Sequence, residues 1–548
     1  MTEPAAADLV LTGGSVMTMD AVRRDAAAVA VRDGRIVAVG QADAAAAHIG
    51  PRTRVVELAG KTVLPSFQDA HIHPVLGGLG LLRCPLHEVA VTPAAYVEAI
   101  AAYAAAQPDL AWVEGDGWYM AAFPGGTPRR EDLDRAVPDR PAFFMNRDGH
   151  GAWVNSRALA LAGIDRDTPD PADGRIERDP DGSPTGTLHE GAANLVARLI
   201  PPATAAEKVE GLRRAQAYLH ALGITAWQDA WVAPDDLTAY RTFAERGDLT
   251  ARAIACLWWE RDRGAEQIEE FVEARRVSSI GRLRVTTVKI MLDGVMENYT
   301  ASMLHPYLDR DGHPTTNRGI DFVDPVALRG FVTRLDALGF QVHMHALGDR
   351  AVRQGLDAVE AARAANGPSD NRHHLAHIQA VDPADWPRFR ALGAVANMQP
   401  LWAARDDQML DLTLPFVTED RWPFQYPFKS LRRAGAILAG GSDWTVSTPN
   451  VLMEVETAVN RVSPYDRDRP PLGAEEAIDL VDALAAFTIG SAYVNHLDDV
   501  TGSIEVSKLA DLVVLDRNVQ GEDRARIGDA RVLLTLMEGQ PVYDAGSL

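Results

Sequence analysis

The chain has 548 residues, 47% hydrophobic and 24% charged, the composition of an ordinary globular protein long enough for more than one domain. Its formal net charge of -22 argues against a nucleic-acid partner, because phosphate binding needs a positive field. Two cysteines, Cys84 and Cys256, with no CxxC spacing, exclude a disulfide framework and a thiolate zinc site.

The start of the chain (MTEPAAADLVLTGG) has no basic region followed by an apolar stretch, so no signal peptide is expected. No run approaches the ~18 uninterrupted apolar residues of a membrane span. A cytoplasmic protein without a membrane partner is the expectation. The first sixty residues read as antiparallel β-structure, DLVLTGGSVMTMD and AAVAVRDGRIVAVG, the second folded at the hairpin-favouring pair Asp33-Gly34.

TVLPSFQDAHIH then opens a series of eight short strand-like runs. The others are ITAWQDAWV, ARAIACLWW, RVTTVKIML, FQVHMHAL, RHHLAHIQ, AVANMQPLW and AILAGGSDW. Helical patterns lie between most of them, several stopped by a glycine (Gly223, Gly339, Gly393, Gly435). Eight strands alternating with helices predict an α/β fold, a (β/α)8 TIM-type barrel, with any active site at the C-terminal strand ends.

One interval breaks the rhythm, about 150 residues between His73 and Ile224, rich in Gly, Pro, Asp and Trp. It reads as a folded insertion, about 77–205, over the barrel mouth. The last fifty residues return to strand character, KLADLVVLD and RVLLTLMEGQPVYD, with a turn at Glu538-Gly539. Three segments are therefore expected: residues 1–62 and 497–548 building one small β-domain, and the barrel over 63–496.

The residues that carry chemistry fall at the ends of these strands. In a strand, residues i and i+2 face one side, so His71 and His73 can reach one cation, and imidazole suits zinc and similar divalent metals. Asp69, one step earlier on that face, is placed to orient a histidine. Lys289 sits in a run where an ammonium is unwelcome. Its neutral amine can take up carbon dioxide to form a carbamate, an anion able to bridge two metals about 3.5–4 Å apart. His345 and His377 are candidates for a second metal, with His343, His373 and His374 as competitors that spacing does not separate. Asp443, after Gly-Gly-Ser, can ligate a metal and carry a proton.

Taken together, these motifs resemble the amidohydrolase superfamily, and within it the YtcJ-like branch (amidohydrolase family 3), which includes N-substituted formamide deformylases. The resemblance covers nearly the whole chain: DGRIVAVG, HIHP, RDGH with WVNSRAL, VKIMLDG, HALGDRAV, AHIQ, GGSDW and GSIEVSKLADLVVLD. It implies a (β/α)8 barrel beside a β-sandwich made by both chain ends, and a binuclear centre, usually zinc. It implies that His71, His73, Lys289 and Asp443 bind the first metal. Carboxylated Lys289 would bridge to the second, held by His345 and His377, which the resemblance favours over His343 and His374. Ser66 and Ser507 stand where that family usually has glycine.

The expected function is hydrolysis of a C–N amide bond in an N-acyl or N-formyl small molecule, by a hydroxide bridging two metals with Asp443 carrying the proton. Ester or carbamate hydrolysis, deamination and decarboxylation are the alternatives on such a fold. Trp118, Trp153, Trp231, Trp402 and Trp444 occupy candidate mouth positions that suit an aromatic or bulky apolar substrate. Trp118, Trp402, His150 and Asp229 are the candidate substrate contacts. A homodimer is the expected assembly.

Overall fold

A computed structural model describes the chain apart from residues 1–4, 24, 88, 148, 172–173 and 522. Contacts divide it into two compact units, one of Met1–His73, Gln216–Asp443 and Pro449–Leu548, the other of Pro74–Ala215 and Trp444–Thr448.

The core of the first unit is an eight-stranded parallel sheet, an α/β TIM-type barrel. Its strands are β1 (Phe67–Ile72), β2 (Ile224–Val232), β3 (Arg252–Trp258), β4 (Leu283–Met291), β5 (Gln341–Ala346), β6 (His374–His377), β7 (Val395–Met398) and β8 (Ile437–Gly440). Each pairs in parallel with its neighbours in that order. Helices such as Pro325–Ala337 and Asp349–Asn366 connect them. Asp324 caps the first of these through Val326 N and Ala327 N. The four glycines expected to stop helices all have positive φ, where a Cβ would be strained.

Among the described residues, no ladder joins β8 to β1. Asp443 N donates to His71 O at 2.8 Å instead, and Ser442 N donates to both carboxylate oxygens of Asp69 at 3.2 and 3.1 Å. Gly441 permits this approach, because a Cβ there would lie 2.6 Å from that of His71. The N-terminal end of the barrel is closed by Ser491–Val494 and the turn after it. Val494 O accepts from Gln341 Nε2, and Asn495 Oδ1 from Gln228 Nε2.

Both chain ends contribute to a second eight-stranded sheet in the same unit. Leu9–Met17, Asp25–Arg32, Arg35–Gly40, Arg54–Glu57, Thr62–Pro65, Leu512–Leu515, Val532–Met537 and Gln540–Asp544 surround one apolar core. Asp33-Gly34 and Glu538-Gly539 are its two-residue hairpin turns, with all four residues at positive φ. Two expectations need correction. The sheet is mixed, because Leu9–Met17 pairs in parallel with both Arg54–Glu57 and Thr62–Pro65. The strand expected over TVLPSFQDAHIH is two strands broken at Ser66: Thr62–Pro65 belongs to this sheet and Phe67–Ile72 to the barrel. The buried Arg252 of β3 ties the two sheets through Asp511 and Glu538.

The second unit is built on a six-stranded sheet ordered Gly174–Arg178, Pro184–Glu190, Gly151–Val154, Ala142–Asn146, Val113–Trp118 and Cys84–Pro85. Trp118, Trp153, Phe123 and Phe144 are central to its main core. No described helix is long and apolar enough to cross a membrane.

Ser507 is exposed and has φ +80. Since an L-residue pays roughly 1–2 kcal/mol in that region, Ser507→Gly is expected to raise stability by about 1 kcal/mol. Equilibrium urea unfolding checks this, and a variant no more stable than the parent refutes it.

Candidate metal centre

β1 ends at Ile72, and the two imidazoles spaced i, i+2 around it converge on one oxygen. His71 Nε2 lies 3.1 Å and His73 Nε2 2.9 Å from Asp443 Oδ1. Ligand atoms at 2.0–2.2 Å from a tetrahedral ion stand roughly 3.3 Å apart, so this trio has the spacing of a single-cation site. Asp443 has φ +52, which swings its carboxylate across from the end of β8.

His377 closes β6 with φ +78, and Ile378 follows with φ +42. Its ring centre lies 4.6 Å from that of His71 and 4.4 Å from that of His345. Its Nδ1 is 4.0 Å from Asp443 Oδ2, too far for a hydrogen bond, and among the described residues neither buried ring nitrogen has a hydrogen-bond partner. A buried imidazole in that state is costly in an apoprotein and satisfied by a cation. Trp402 stacks on it at 5.3 Å and 4°, and Gln399 Oε1 accepts its backbone N–H at 2.7 Å. His345 presents Nδ1 to Asp293 Oδ1 at 3.2 Å.

Lys289 is 2% exposed and lies in the ladder between Trp258 and His343. Burial lowers its amine to about 8, against the pull of the Asp443 charge. Roughly a tenth of such side chains are neutral at pH 7, against about 0.03% for an ordinary lysine. Burial, with the Lys289 charge adding to it, takes His71 down to about 3. Burial likewise holds His343, His374 and His377 well below the usual range. His71, His343, His374 and His377 are therefore held as neutral imidazoles, the form that ligates metal. Burial opposes ionisation of Asp443, yet His71 and His73 keep its carboxyl well below the usual range.

His343 and His374 turn elsewhere. His343 Nε2 meets His71 Nδ1 at 2.8 Å and its Nδ1 meets Cys256 Sγ at 3.6 Å. His374 Nε2 meets Gln228 Oε1 at 2.8 Å. Asp69 corrects an expectation: its carboxylate accepts the His71 and Ser442 amides and so orients backbone, not an imidazole ring.

The substrate candidates scatter. Trp118 is fully buried in the core of the second unit with Nε1 donated to Phe144 O, so it is a packing residue, not a contact. Trp153 behaves alike, its Nε1 held by Arg129 O. Asp229 is also corrected. Strand alternation turns Gln228 into the barrel and Asp229 outward, where Tyr240 Oη donates to it at 2.8 Å. His150 lies in the second unit, paired with Glu190 at 3.0 Å. Trp444 also belongs to that unit and is buried. Trp231 stacks on Trp258 at 4.8 Å and is half exposed. Residues missed from sequence are Asp293 and Gln399. The Asp in VKIMLDG, two residues past a strand that carries a candidate ligand, is a usable signal for the first.

A parallel α/β barrel with neutral histidines, a carboxylate and a buried lysine gathered at its C-terminal strand ends defines the class of metal-dependent hydrolases. The sequence model of the Amidohydrolase family matches residues 54–543. Over 558 aligned residues, 99% of this chain and 93% of the relative, the chain is 32% identical to protein LONG AFTER FAR-RED 3 of Arabidopsis thaliana. It is 28% identical to the N-substituted formamide deformylase of Arthrobacter pascens, over 98% of each chain. The crystal structure of an uncharacterized metal-dependent hydrolase from Pyrococcus furiosus superposes with a TM-score of 0.71 at 25% identity, covering 93% of this chain and 99% of that one. The chain belongs to the amidohydrolase family, in its YtcJ-like branch.

Burial raises Asp69 to about 7, against hydrogen bonds from Ser442 and His71. Between an unfolded value near 4 and that folded value, the folded state holds a proton the unfolded state lacks, so stability falls as pH rises. In metal-free protein, Asp69→Asn should remove one group's share of that fall, about 1.4 kcal/mol per pH unit. Urea unfolding from pH 4 to 7 measures it; an unchanged slope sinks the assignment.

Proposed function

We propose that this chain cleaves the C–N bond of an amide in an N-acyl or N-formyl small molecule, using two divalent ions, zinc foremost. In this reading His71, His73, Asp443 and Lys289 hold one ion. Lys289 as its carbamate, with His345 and His377, holds the other. The observation that carries it is the convergence of His71 and His73 on Asp443 beside buried His377, whose two ring nitrogens have no hydrogen-bond partner among the described residues. When bound, the ions supply Lewis acidity and make water acidic enough to ionise near neutral pH.

The chain's own groups do the rest. Asp443, held ionised, accepts the proton of the attacking water at its carboxylate and returns it to the nitrogen of the departing amine. Water and amide thus give a carboxylic acid, or formate from a formyl group, and a free amine. Trp402 and Gln399 hold the ring and backbone of His377 in place. The depressed pKa of Lys289 supports carbamate formation, which consumes the neutral amine. The activity named for the Arthrobacter pascens relative supports formyl among the acyl groups.

The test is turnover by metal-supplemented enzyme on N-formyl, N-acetyl and longer N-acyl amines with matched esters, with mass spectrometry of both products. Amide cleavage is expected, and ester-only or absent turnover with metal bound overturns the reading. Asp443→Asn should lower kcat by about 10²–10⁴, the range of general acid–base catalysis. Full metal content with full turnover would remove Asp443 from proton transfer. Enzyme prepared in ¹³C-bicarbonate should show a carbamate carbon by NMR that Lys289→Met lacks; no such signal in the parent enzyme refutes the bridging lysine.

A further inference from the structure

Asp293 is wholly buried just past the end of β4, and its two oxygens accept three backbone N–H groups and face one imidazole nitrogen. Oδ1 faces His345 Nδ1 at 3.2 Å and accepts Leu347 N at 3.1 Å. Oδ2 accepts Gly348 N and Ser302 N, each at 2.9 Å. The cradle is tight, since a Cβ on Gly348 would lie 2.0 Å from Ser302 O. Arg350 Nε fastens the Ser302 loop from outside through Ser302 Oγ at 2.6 Å.

His71, by contrast, meets a neutral imidazole. Its Nδ1 lies 2.8 Å from Nε2 of His343, whose Nδ1 in turn faces the Cys256 thiol. The two candidate metal positions therefore differ in what stands behind their histidines. A carboxylate is the stronger hydrogen-bond acceptor, and a histidine that donates to one is the more basic ligand.

We propose that Asp293 is the positioning residue of His345: its carboxylate holds the imidazole Nδ1–H, leaves Nε2 as the metal-facing donor, and gives the second ion a carboxylate-backed histidine that the first lacks. This rests on the two-ion reading above. Asp293 touches neither substrate nor metal and acts through His345.

Metal binding is the readout. Apoprotein titrated with Zn²⁺ or Co²⁺ should take two ions, and in Asp293→Ala the second should bind about 10–100-fold more weakly with the first unchanged. Arg350→Ala loosens the same loop without touching the Asp293–His345 contact, and should bind both ions as the parent does. Equal losses in the two variants would make Asp293 a loop anchor only, and no loss in Asp293→Ala would overturn the proposal outright.

Should Asp293→Ala fail to fold, the parent protein still decides. In metal-free parent, ¹⁵N NMR of histidine, assigned by the signal missing from His345→Gln, should show His345 protonated at Nδ1. The Nε2–H tautomer would place the proton on the carboxylate and refute the assignment. A parent that binds one ion alone would refute the two-ion reading, while the tautomer would still decide the role of Asp293.

Discussion

Among the described residues the barrel closes without a ladder between its last strand and its first, and the rest of the structure depends on how that gap is bridged. Asp69 collects the amides of His71 and Ser442, Asp443 N reaches His71 O, and Gly441 lets the backbones approach. The same turn that closes the barrel aims the carboxylate of Asp443 at the two histidines leaving β1. Closure and candidate site are thus one arrangement. A buried carboxylate has a cost, and here it is offset by backbone donors that have no strand partner to bond.

Below the site, the barrel interior is polar and its donors and acceptors agree in sequence. Gln399 Nε2 donates to Asn397 Oδ1, and Asn397 Nδ2 to Ala70 O and His374 Nδ1. His374 Nε2 then donates to Gln228 Oε1, and Gln228 Nε2 to Gln341 Oε1. A satisfied network of this kind is rigid, because each break strands a buried polar group. It runs from the residue that holds His377 in place down to the closed end of the barrel. The metal-facing groups therefore stand on a floor that resists rearrangement, as a preorganised site requires.

Much of this was legible in the sequence because it is local. Alternating or continuous apolar runs marked all eight barrel strands, glycines at helix ends marked the stops, and the pairs at 33–34 and 538–539 marked the hairpins. Each rests on backbone preferences that neighbours in the chain dictate. Errors came where partners are remote. Leu9–Met17 is flanked by parallel strands because Arg54–Glu57 and Thr62–Pro65 return to both halves of it. Asp229 resembled a strand-end contact until Tyr240 claimed it, and Trp118 resembled a mouth residue until its own sheet buried it.

By itself, the sequence determined the barrel class, the order of its strands and a short set of side chains able to bind metal, since residue type and spacing along a strand suffice for these. Tertiary structure alone decided which of those side chains meet. His71 and Asp443 are far apart in the chain and meet only because the eighth strand comes round to the first. His343 and His345 share a strand face, yet one is held by an imidazole and the other by a carboxylate. Hydrogen-bond partners and burial are properties of three-dimensional neighbours, and those neighbours exist only after the chain has closed on itself.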